Sequence, residues 1–386
     1  YAQQRLWFLQ QVAPDSAAYN LPRVIRISGT LQPQRLDKAL NQVLDRHDIL
    51  RTAFIEMDGV AMQVVDKQAR LVLDQQDLTH LAEQPRAREI AQRIETQANT
   101  PFDLRQAPLM RATLLKVGVN DHLLLMDMHH IVSDAWSNAI LMHDLTCTFA
   151  QDQPLPRPAI QYADYAAWQR GEYLRSTACA NSATYWQDYL GTPLPTLDMP
   201  VDVARSEQHR HPAGQHDLRL PAELCADLNR FCQQQGLTPF VVALGAWQLL
   251  LSRYSGQQDF TVGVPNATRN RSETQELVGC FVSSQVYRVR IDPLLPARGF
   301  LQRLRRESLA ALDHGDYPLE LSFDALQLQA SAQPNPLFQV LFNWRTDSVA
   351  PERIELDGLS LEFLDSGPGQ AKFDLSLDVS YSQQGV

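Results

Sequence analysis

The sequence predicts an α/β (α+β) protein with two lobes, each with a mixed sheet and flanking helices. The length of 386 residues exceeds the roughly 250–300 at which a single core usually stops growing. Residues 192–216 carry four prolines and little periodicity, which is typical of a linker. Strand and helix patterns occur on both sides of it. We therefore expect a first lobe at 1–180 and a second at 181–386.

The elements follow from local patterns. Residues 32–54 predict a helix followed by a strand, because Leu36, Leu40, Val43 and Leu44 recur at helical spacing. Residues 101–117 predict a Pro-marked loop that runs into a strand. Further helices are predicted at 83–98, 134–150, 221–236 and 238–256, and further strands at 122–130, 259–265, 280–291, 337–344 and 361–366.

Composition excludes several classes of protein. The net charge of -10 argues against nucleic-acid partners, which need a basic surface. No apolar run approaches the roughly 20 residues of a membrane span, so no membrane partner is expected. Five cysteines without a CxxC pair favour a reducing compartment, and we expect the cytoplasm. The chain opens with YAQQRLWFLQQ, without Met or a basic leader, and we expect a piece of a longer protein.

The segment MHHIVSDAWS, residues 128–137, holds the most chemically suggestive side chains. His129 and His130 should point to opposite faces of a strand, so we predict no metal site here. From this motif alone, a histidine could be a hydrogen-bonded core residue or could act on a proton at neutral pH. Asp134 should open a helix as its N-cap, or pair with an arginine that locks the loop.

Six motifs together resemble a known family. They occur in the order AQQRLWFLQQ (2–11), MHHIVSDAWS (128–137), YADYAAWQR (162–170), VGCFVSSQVYRVR (278–290), HGDYPLE (314–320) and NPLFQVLFNW (335–344). This series resembles the core motifs of condensation domains of non-ribosomal peptide synthetases. AKFDLSL (371–377) also resembles the family's segment near the crossover between lobes. HHxxxD by itself is less specific, since chloramphenicol acetyltransferase carries a related pattern.

The resemblance implies two chloramphenicol-acetyltransferase-like lobes in a V-shaped pseudo-dimer with a tunnel between them. It implies amide bond formation, in which an aminoacyl or peptidyl thioester is transferred to the α-amine of a second aminoacyl thioester. The partners would be an upstream donor and a downstream acceptor carrier domain, with an adenylation domain adjacent in the same synthetase. No cofactor would be bound directly, because the substrates travel on the 4'-phosphopantetheine of the carriers.

The same resemblance implies site residues. His130 matches the catalytic position, as a base or as an electrostatic stabiliser, and His129 would support the loop. Asp134 matches a structural aspartate that pairs with an arginine of the other lobe. Arg269 is the expected partner, with Arg271 as the alternative. We expect packing or network roles for Arg5, Trp7, Tyr162, Asp164, Tyr165, Trp168 and His314.

Three positions depart from the family pattern. Ala135 stands where the family usually has glycine, which is harmless in a helix's first turn but strained at a positive φ. Ser283 and Ser284 replace a common Asn-Thr pair, and we expect them in the substrate channel. The final segment of the second lobe is expected to be missing.

Two alternatives remain from the sequence. The chain could be a non-catalytic condensation-like module that recruits partner proteins, or a related epimerisation domain. The intact His130 and Asp134 argue against the first, and the motifs HGDYPLE and NPLFQVLFNW argue against the second.

Overall fold

The structure is a computed structural model, which describes residues 1–201, 213–322, 337–346, 353–364 and 370–381. Its helices are α1 (Ala2–Val12), α2 (Pro33–Arg46), α3 (Glu83–Asn99), α4 (Ala135–Gln151), α5 (Tyr162–Gly171), α6 (Thr177–Leu190), α7 (Ala222–Gln235), α8 (Pro239–Ser255) and α9 (Ala297–Asp313). Its strands are β1 (Arg23–Ser28), β2 (Thr52–Met57), β3 (Val60–Val65), β4 (Leu73–Asp77), β5 (Met110–Gly118), β6 (Asp121–Met128), β7 (Asp259–Asn266), β8 (Ser283–Arg290), β9 (Val340–Thr346), β10 (Arg353–Leu356), β11 (Leu359–Leu364) and β12 (Leu375–Tyr381).

A six-stranded sheet organises the first half of the chain, in the order β10-β11-β1-β6-β5-β4. Its neighbouring strands are antiparallel except for β4 and β5, which are parallel. Both faces are covered, because successive side chains of a strand point to opposite sides. Ile25 of β1 packs in a core with α2 and α4, whereas Val24 packs in a second apolar layer with Ile90 and Ile94 of α3.

A four-stranded sheet organises the second half, in the order β12-β9-β7-β8. β9 is parallel to both β12 and β7, and β7 is antiparallel to β8. Its core contains Phe260 of β7, Leu244 of α8, Leu304 of α9 and Trp186 of α6. The prediction of mixed sheets with flanking helices is confirmed.

The two halves exchange segments. Hairpin β10–β11, residues 353–364, pairs with β1 and completes the first sheet. Leu277, Val278 and Phe281 pack in the first core. Conversely, Tyr173 packs in the second core. The boundary between residues 180 and 181 stays a prediction as a division into domains, but sheets and cores cross it.

The predicted linker, 192–216, lies partly outside the described residues, which omit 202–212. Its described parts, 192–201 and 213–216, contain no helix or strand. Leu197 is buried in the second core, and its backbone N–H donates to Gln339 Oε1 at 3.0 Å. The first part of the linker therefore packs against the second sheet.

In the part of the chain that the structure describes, no single helix is long and apolar enough to cross a membrane. Helices α7 and α8 meet length and composition criteria only as a pair, bent by 106°. Much of α8 is buried in the second core, where Leu244 and Leu251 lie.

Hairpin β10–β11 should contribute measurably to stability. Leu361 is 5% exposed and packs in the first core, so Leu361→Ala should cost about 2–5 kcal/mol and lower the urea midpoint. Exposed Glu362, the next residue on β11, is the matched control, and Glu362→Ala should stay within about 0.5 kcal/mol. Equal midpoints for the two variants would show that the hairpin does not stabilise the sheet.

Candidate active site

The histidine segment connects the end of β6 to the start of α4, and its backbone is held on both sides. The N–H of His129 donates to Leu109 O at 3.1 Å, and the N–H of His130 donates to Tyr19 O at 2.8 Å. His129 also forms an isolated β-bridge with Asn20. The loop thus extends the sheet's pairing by two residues before the chain turns into the helix.

The surroundings of His129 indicate a structural role for this residue. The residue is 1% exposed, and Nδ1 accepts the N–H of Ile131 at 3.1 Å, which places the ring proton on Nε2. That Nε2 has no hydrogen-bond partner among the described residues. Burial, followed by the neighbouring charges, lowers the pKa of His129 to about 3. The imidazole is therefore neutral and fixed in one orientation.

Taken as a whole residue, His130 is half-buried, whereas His129 is 1% exposed. Its Nδ1 lies 3.9 Å from the Sγ of Cys280, which comes from the second half of the chain. Loss of hydration, followed by the positive charge of Lys372, lowers the pKa of His130 to about 4. At neutral pH this imidazole is uncharged and able to accept a proton.

Asp134 caps α4, and both of its carboxylate oxygens have hydrogen-bond partners. Oδ1 accepts the N–H of Ser137 at 2.7 Å and lies 3.3 Å from Arg269 Nη2, while Oδ2 accepts the N–H of Phe281 at 3.0 Å. The residue is 3% exposed. A carboxylate held in this way organises structure and is not placed to take a proton from a substrate.

Arg269 joins three segments. Its Nη1 donates to the carbonyl oxygens of Thr274 and Leu277 at 2.5 and 2.7 Å, and its Nη2 donates to Ser137 Oγ at 2.8 Å. The guanidinium also lies 4.0 Å from the ring centroid of Phe281. The alternative partner, Arg271, lies instead over the ring of Trp168 at 4.1 Å. Of the two arginines, the structure brings Arg269 to Asp134.

Sequence reasoning missed two residues that complete this junction, Ser137 and Gly279. Ser137 Oγ donates to Gly279 O at 2.8 Å and accepts the N–H of Gly279 at 3.0 Å. Tyr162 OH donates to Cys280 O at 2.6 Å. A Cβ on Gly279 would lie 2.0 Å from a ring carbon of Tyr162, so only glycine fits there. Both lie within the recognised motifs, but only the fold shows that they meet each other and Tyr162, for which a network role was expected.

The three positions that depart from the family pattern lie at the starts of regular elements. Ala135 is exposed, is the first residue of α4 and does not have a positive φ. Alanine therefore suits its conformation. Ser283 and Ser284 begin β8, pair with Asn266 and Pro265 and are half-buried. Their contact with substrate stays a prediction.

The other candidate residues pack or cap. Asp164 accepts the N–H of Gln161 at 2.8 Å at the start of α5. His314 Nδ1 lies 2.9 Å from Ser182 Oγ, and its ring stacks on Tyr185 at 4.2 Å. Tyr165 and Trp168 belong to an aromatic group with Phe281 and Tyr173. Within the described ranges, no group of three or more His, Cys, Asp or Glu side chains could hold a metal ion.

The Asp134–Arg269 pair should show strong energetic coupling. Asp134→Ala strands a buried guanidinium, and a loss of about 3–5 kcal/mol is expected. Arg269→Ala should cost a similar amount, and Asp134→Asn should cost less because the amide oxygen still accepts. In thermal and urea unfolding, the double variant should lose less unfolding free energy than the two single variants lose together, by about 0.5–3 kcal/mol. Strict additivity would contradict the coupling.

Ala135→Gly tests the conformation at the start of α4. Because Ala135 has helical geometry, glycine should destabilise the protein by at most about 1 kcal/mol. Ala139→Gly, one turn further along the same helix, is the matched comparison and should cost about 1 kcal/mol. A higher melting temperature for Ala135→Gly would mean that this position requires glycine's conformational freedom.

Comparisons with known proteins identify the family of the chain. The sequence model of the Condensation domain matches residues 1–386. Tyrocidine synthase 2 of Brevibacillus parabrevis is 34% identical over 385 residues, covering 100% of this chain and 10% of that protein. Malpinin synthetase of Mortierella alpina is 33% identical over 391 residues, covering 100% and 5%. The chain thus spans a small part of these relatives.

Solved structures agree at the level of the fold. The X-domain from teicoplanin biosynthesis superposes with a TM-score of 0.87 at 24% identity, covering 98% of this chain and 84% of that one. The starter condensation domain of rhizomide synthetase RzmA, in complex with C8-CoA and Leu-SNAC, gives 0.80 at 22% identity, covering 99% and 84%. The expected acetyltransferase-like fold is confirmed.

The predicted family is confirmed by the match of its sequence model over the whole chain and by relatives that are identical to it at about a third of the aligned positions. The chain belongs to the condensation domain family, whose members in peptide synthetases are acyltransferases that form amide bonds.

Proposed function

We propose that this domain transfers a donor aminoacyl or peptidyl group from its thioester to the α-amine of an acceptor aminoacyl thioester. The amine nitrogen attacks the thioester carbonyl carbon, the new C–N bond forms and the C–S bond breaks. The thiol leaves on the donor's carrier, and the lengthened chain stays on the acceptor's carrier. The amine proton passes to His130 and then to the departing sulfur.

The environment of His130 is the observation that carries this role. Its imidazole is neutral at neutral pH, which suits a group that accepts a proton from an amine, and the residue as a whole is half-buried. A free α-amine has a pKa near about 7.7–8.0, so it needs little help to deprotonate. His130 then acts on the proton released as the bond forms, and its neutral ring can also donate a hydrogen bond.

The surrounding residues divide into supports and channel residues. Asp134 and Arg269 fix the loop that carries His130, and His129 fills its buried side. Ser283 and Ser284 line the substrate channel in this proposal, since they are half-buried at the start of β8. Ala135 supports the start of α4.

The partners follow from the relatives, which are large peptide synthetases or parts of them. Condensation domains act on carrier-bound substrates. We propose upstream and downstream carrier domains as partners, 4'-phosphopantetheine arms as the groups that hold both thioesters, and an adjacent adenylation domain. All five cysteines are free thiols, which supports work in a reducing compartment such as the cytoplasm.

A non-catalytic recruiting module has less support. The likeness to the teicoplanin X-domain, which has also been solved in complex with OxyB, concerns fold alone at 24% identity. The two relatives described above, each above 30% identity, are named as a synthetase and a synthase, and no observation at the site favours an epimerisation domain.

His130→Ala tests the proposed chemistry. With donor and acceptor carrier domains loaded in advance, the single-turnover rate of amide formation should fall about 10²–10⁴-fold, as expected for loss of a proton-transfer group. His130 is partly exposed, so the melting temperature should change little. The control is His143→Ala, an exposed histidine on α4, which should leave both rate and melting unchanged. A near-normal rate without His130 would exclude it from the mechanism.

A further inference from the structure

A strained residue lies where the chain leaves β7 and turns towards the first half. Thr268 has a φ of 45°, in the left-handed region. Among the described residues, the other non-glycine residues with a positive φ are exposed aspartates, Asp58, Asp152 and Asp357. Aspartate tolerates this conformation, whereas a β-branched side chain is crowded in it. Thr268 also differs from them in being buried, at 7% exposure.

The contacts of Thr268 show what this conformation achieves. Its Oγ1 donates to the carbonyl oxygen of Phe281, and its backbone N–H donates to Asn266 Oδ1 at 3.4 Å. The N–H of Phe281 donates in turn to Asp134 Oδ2 at 3.0 Å. The backbone of Phe281 is therefore held on both sides, by Thr268 at its C=O and by Asp134 at its N–H.

Thr268 and Arg269 reach the same junction from consecutive positions. The guanidinium of Arg269 lies 4.0 Å from the ring centroid of Phe281, and its Nη2 lies 3.3 Å from Asp134 Oδ1. In an extended backbone, two consecutive side chains would point to opposite sides. The left-handed turn at Thr268 thus allows both side chains to serve Asp134, one directly and one through Phe281.

This junction lies directly beside the histidine loop. Cys280, the residue before Phe281, has its Sγ 3.9 Å from His130 Nδ1, and Asp134 ends the loop that carries His130. A shift of Phe281 would therefore disturb the His130 ring from two directions. Backbone strain costs folding free energy, and it is typically retained where it fixes a functional geometry.

We propose that Thr268 is a positioning residue for the proposed reaction, whose left-handed backbone and hydroxyl fix Phe281 and, through it, Asp134 and the loop of His130. This inference rests on the proposed function of His130. Thr268 acts through Phe281 and is assigned no contact with substrate. Loss of its hydroxyl should slow the reaction, and relief of its strain should not restore the rate.

Three variants separate the hydroxyl from the strain. Thr268→Val keeps the β-branched shape and removes the hydroxyl, Thr268→Ser keeps the hydroxyl, and Thr268→Gly removes the hydroxyl and relieves the strain. Thr184→Val is the control for the first, because it removes an exposed hydroxyl that bonds to Ala180 O on α6. Asp58→Gly is the control for the last, because it relieves a positive φ in the exposed turn between β2 and β3.

The position of Phe281 can be followed directly by NMR. Cys280–Phe281 is the only Cys-Phe pair in the sequence, so ¹⁵N-labelled Phe combined with ¹³C-carbonyl-labelled Cys assigns the Phe281 N–H signal without a further mutation. Thermal unfolding and the single-turnover rate of amide formation, with loaded carrier domains, are measured on the same variants.

In Thr268→Val and Thr268→Gly, the Phe281 N–H signal should move upfield as its hydrogen bond to the carboxylate lengthens. The single-turnover rate should fall about tenfold in both, less than the roughly 10²-fold that a misplacement of 1 Å can cost. Thr268→Gly should melt at a higher temperature than Thr268→Val, because only the glycine relieves the strain. Thr268→Ser and both controls should react within about twofold of the wild type.

A wild-type rate in Thr268→Val or Thr268→Gly would overturn the proposal, and so would an unmoved Phe281 signal. A rate as low in Thr268→Ser as in Thr268→Val would exclude the hydroxyl as the group in use. A glycine variant that melts below the valine variant would overturn the assigned strain. If His130→Ala stayed active, the proposed function would fail, whereas the Phe281 signal would still decide whether Thr268 holds this residue.

Discussion

The buried ion pair between Asp134 and Arg269 is the constraint on which the site depends. Their side chains are only 4% and 2% exposed, and charges removed from water to this extent must be neutralised and hydrogen-bonded. Asp134 meets the condition with the N–H groups of Ser137 and Phe281, and the Nη1 of Arg269 meets it with carbonyl oxygens of the 274–277 turn. The pair is therefore satisfied only when α4 and residues 269–281 are assembled together.

The orientation of His130 follows from this assembly. The loop that carries it is short, running from the end of β6 at Met128 to the cap of α4 at Asp134. One end is held by strand-like pairing of His129 with Leu109 O, and the other end by the ion pair. The segment that binds Asp134 through Phe281 also carries Cys280, which contacts the His130 ring. Fixing the aspartate thus fixes both the imidazole and part of its surroundings.

Local sequence patterns predicted helices, strands and caps, and the family resemblance predicted the long-range contact at the site. Helical spacing identified α2, and the capping preference of aspartate placed the start of α4. That Arg269 and Asp134 meet came from the family motif, because a pair separated by 135 residues leaves no local signal. For the same reason the addition of β10–β11 to the first sheet and the bonds of Ser137 to Gly279 were not predicted. They depend on chain topology, which sequence periodicity does not encode.

The exchange of segments between halves also bears on how such a site can work. A thioester is already activated, so the barrier is lowered mainly by holding two tethered reactants and one base in the correct relative positions. Such positioning can contribute several kcal/mol. That requires a base that does not drift relative to the substrates. Segments 277–281, 353–364 and 370–374 each belong to the second half and contact the first. A rotation of one half against the other would strain all three contacts at once, so the fold resists the motions that would move His130 out of reach.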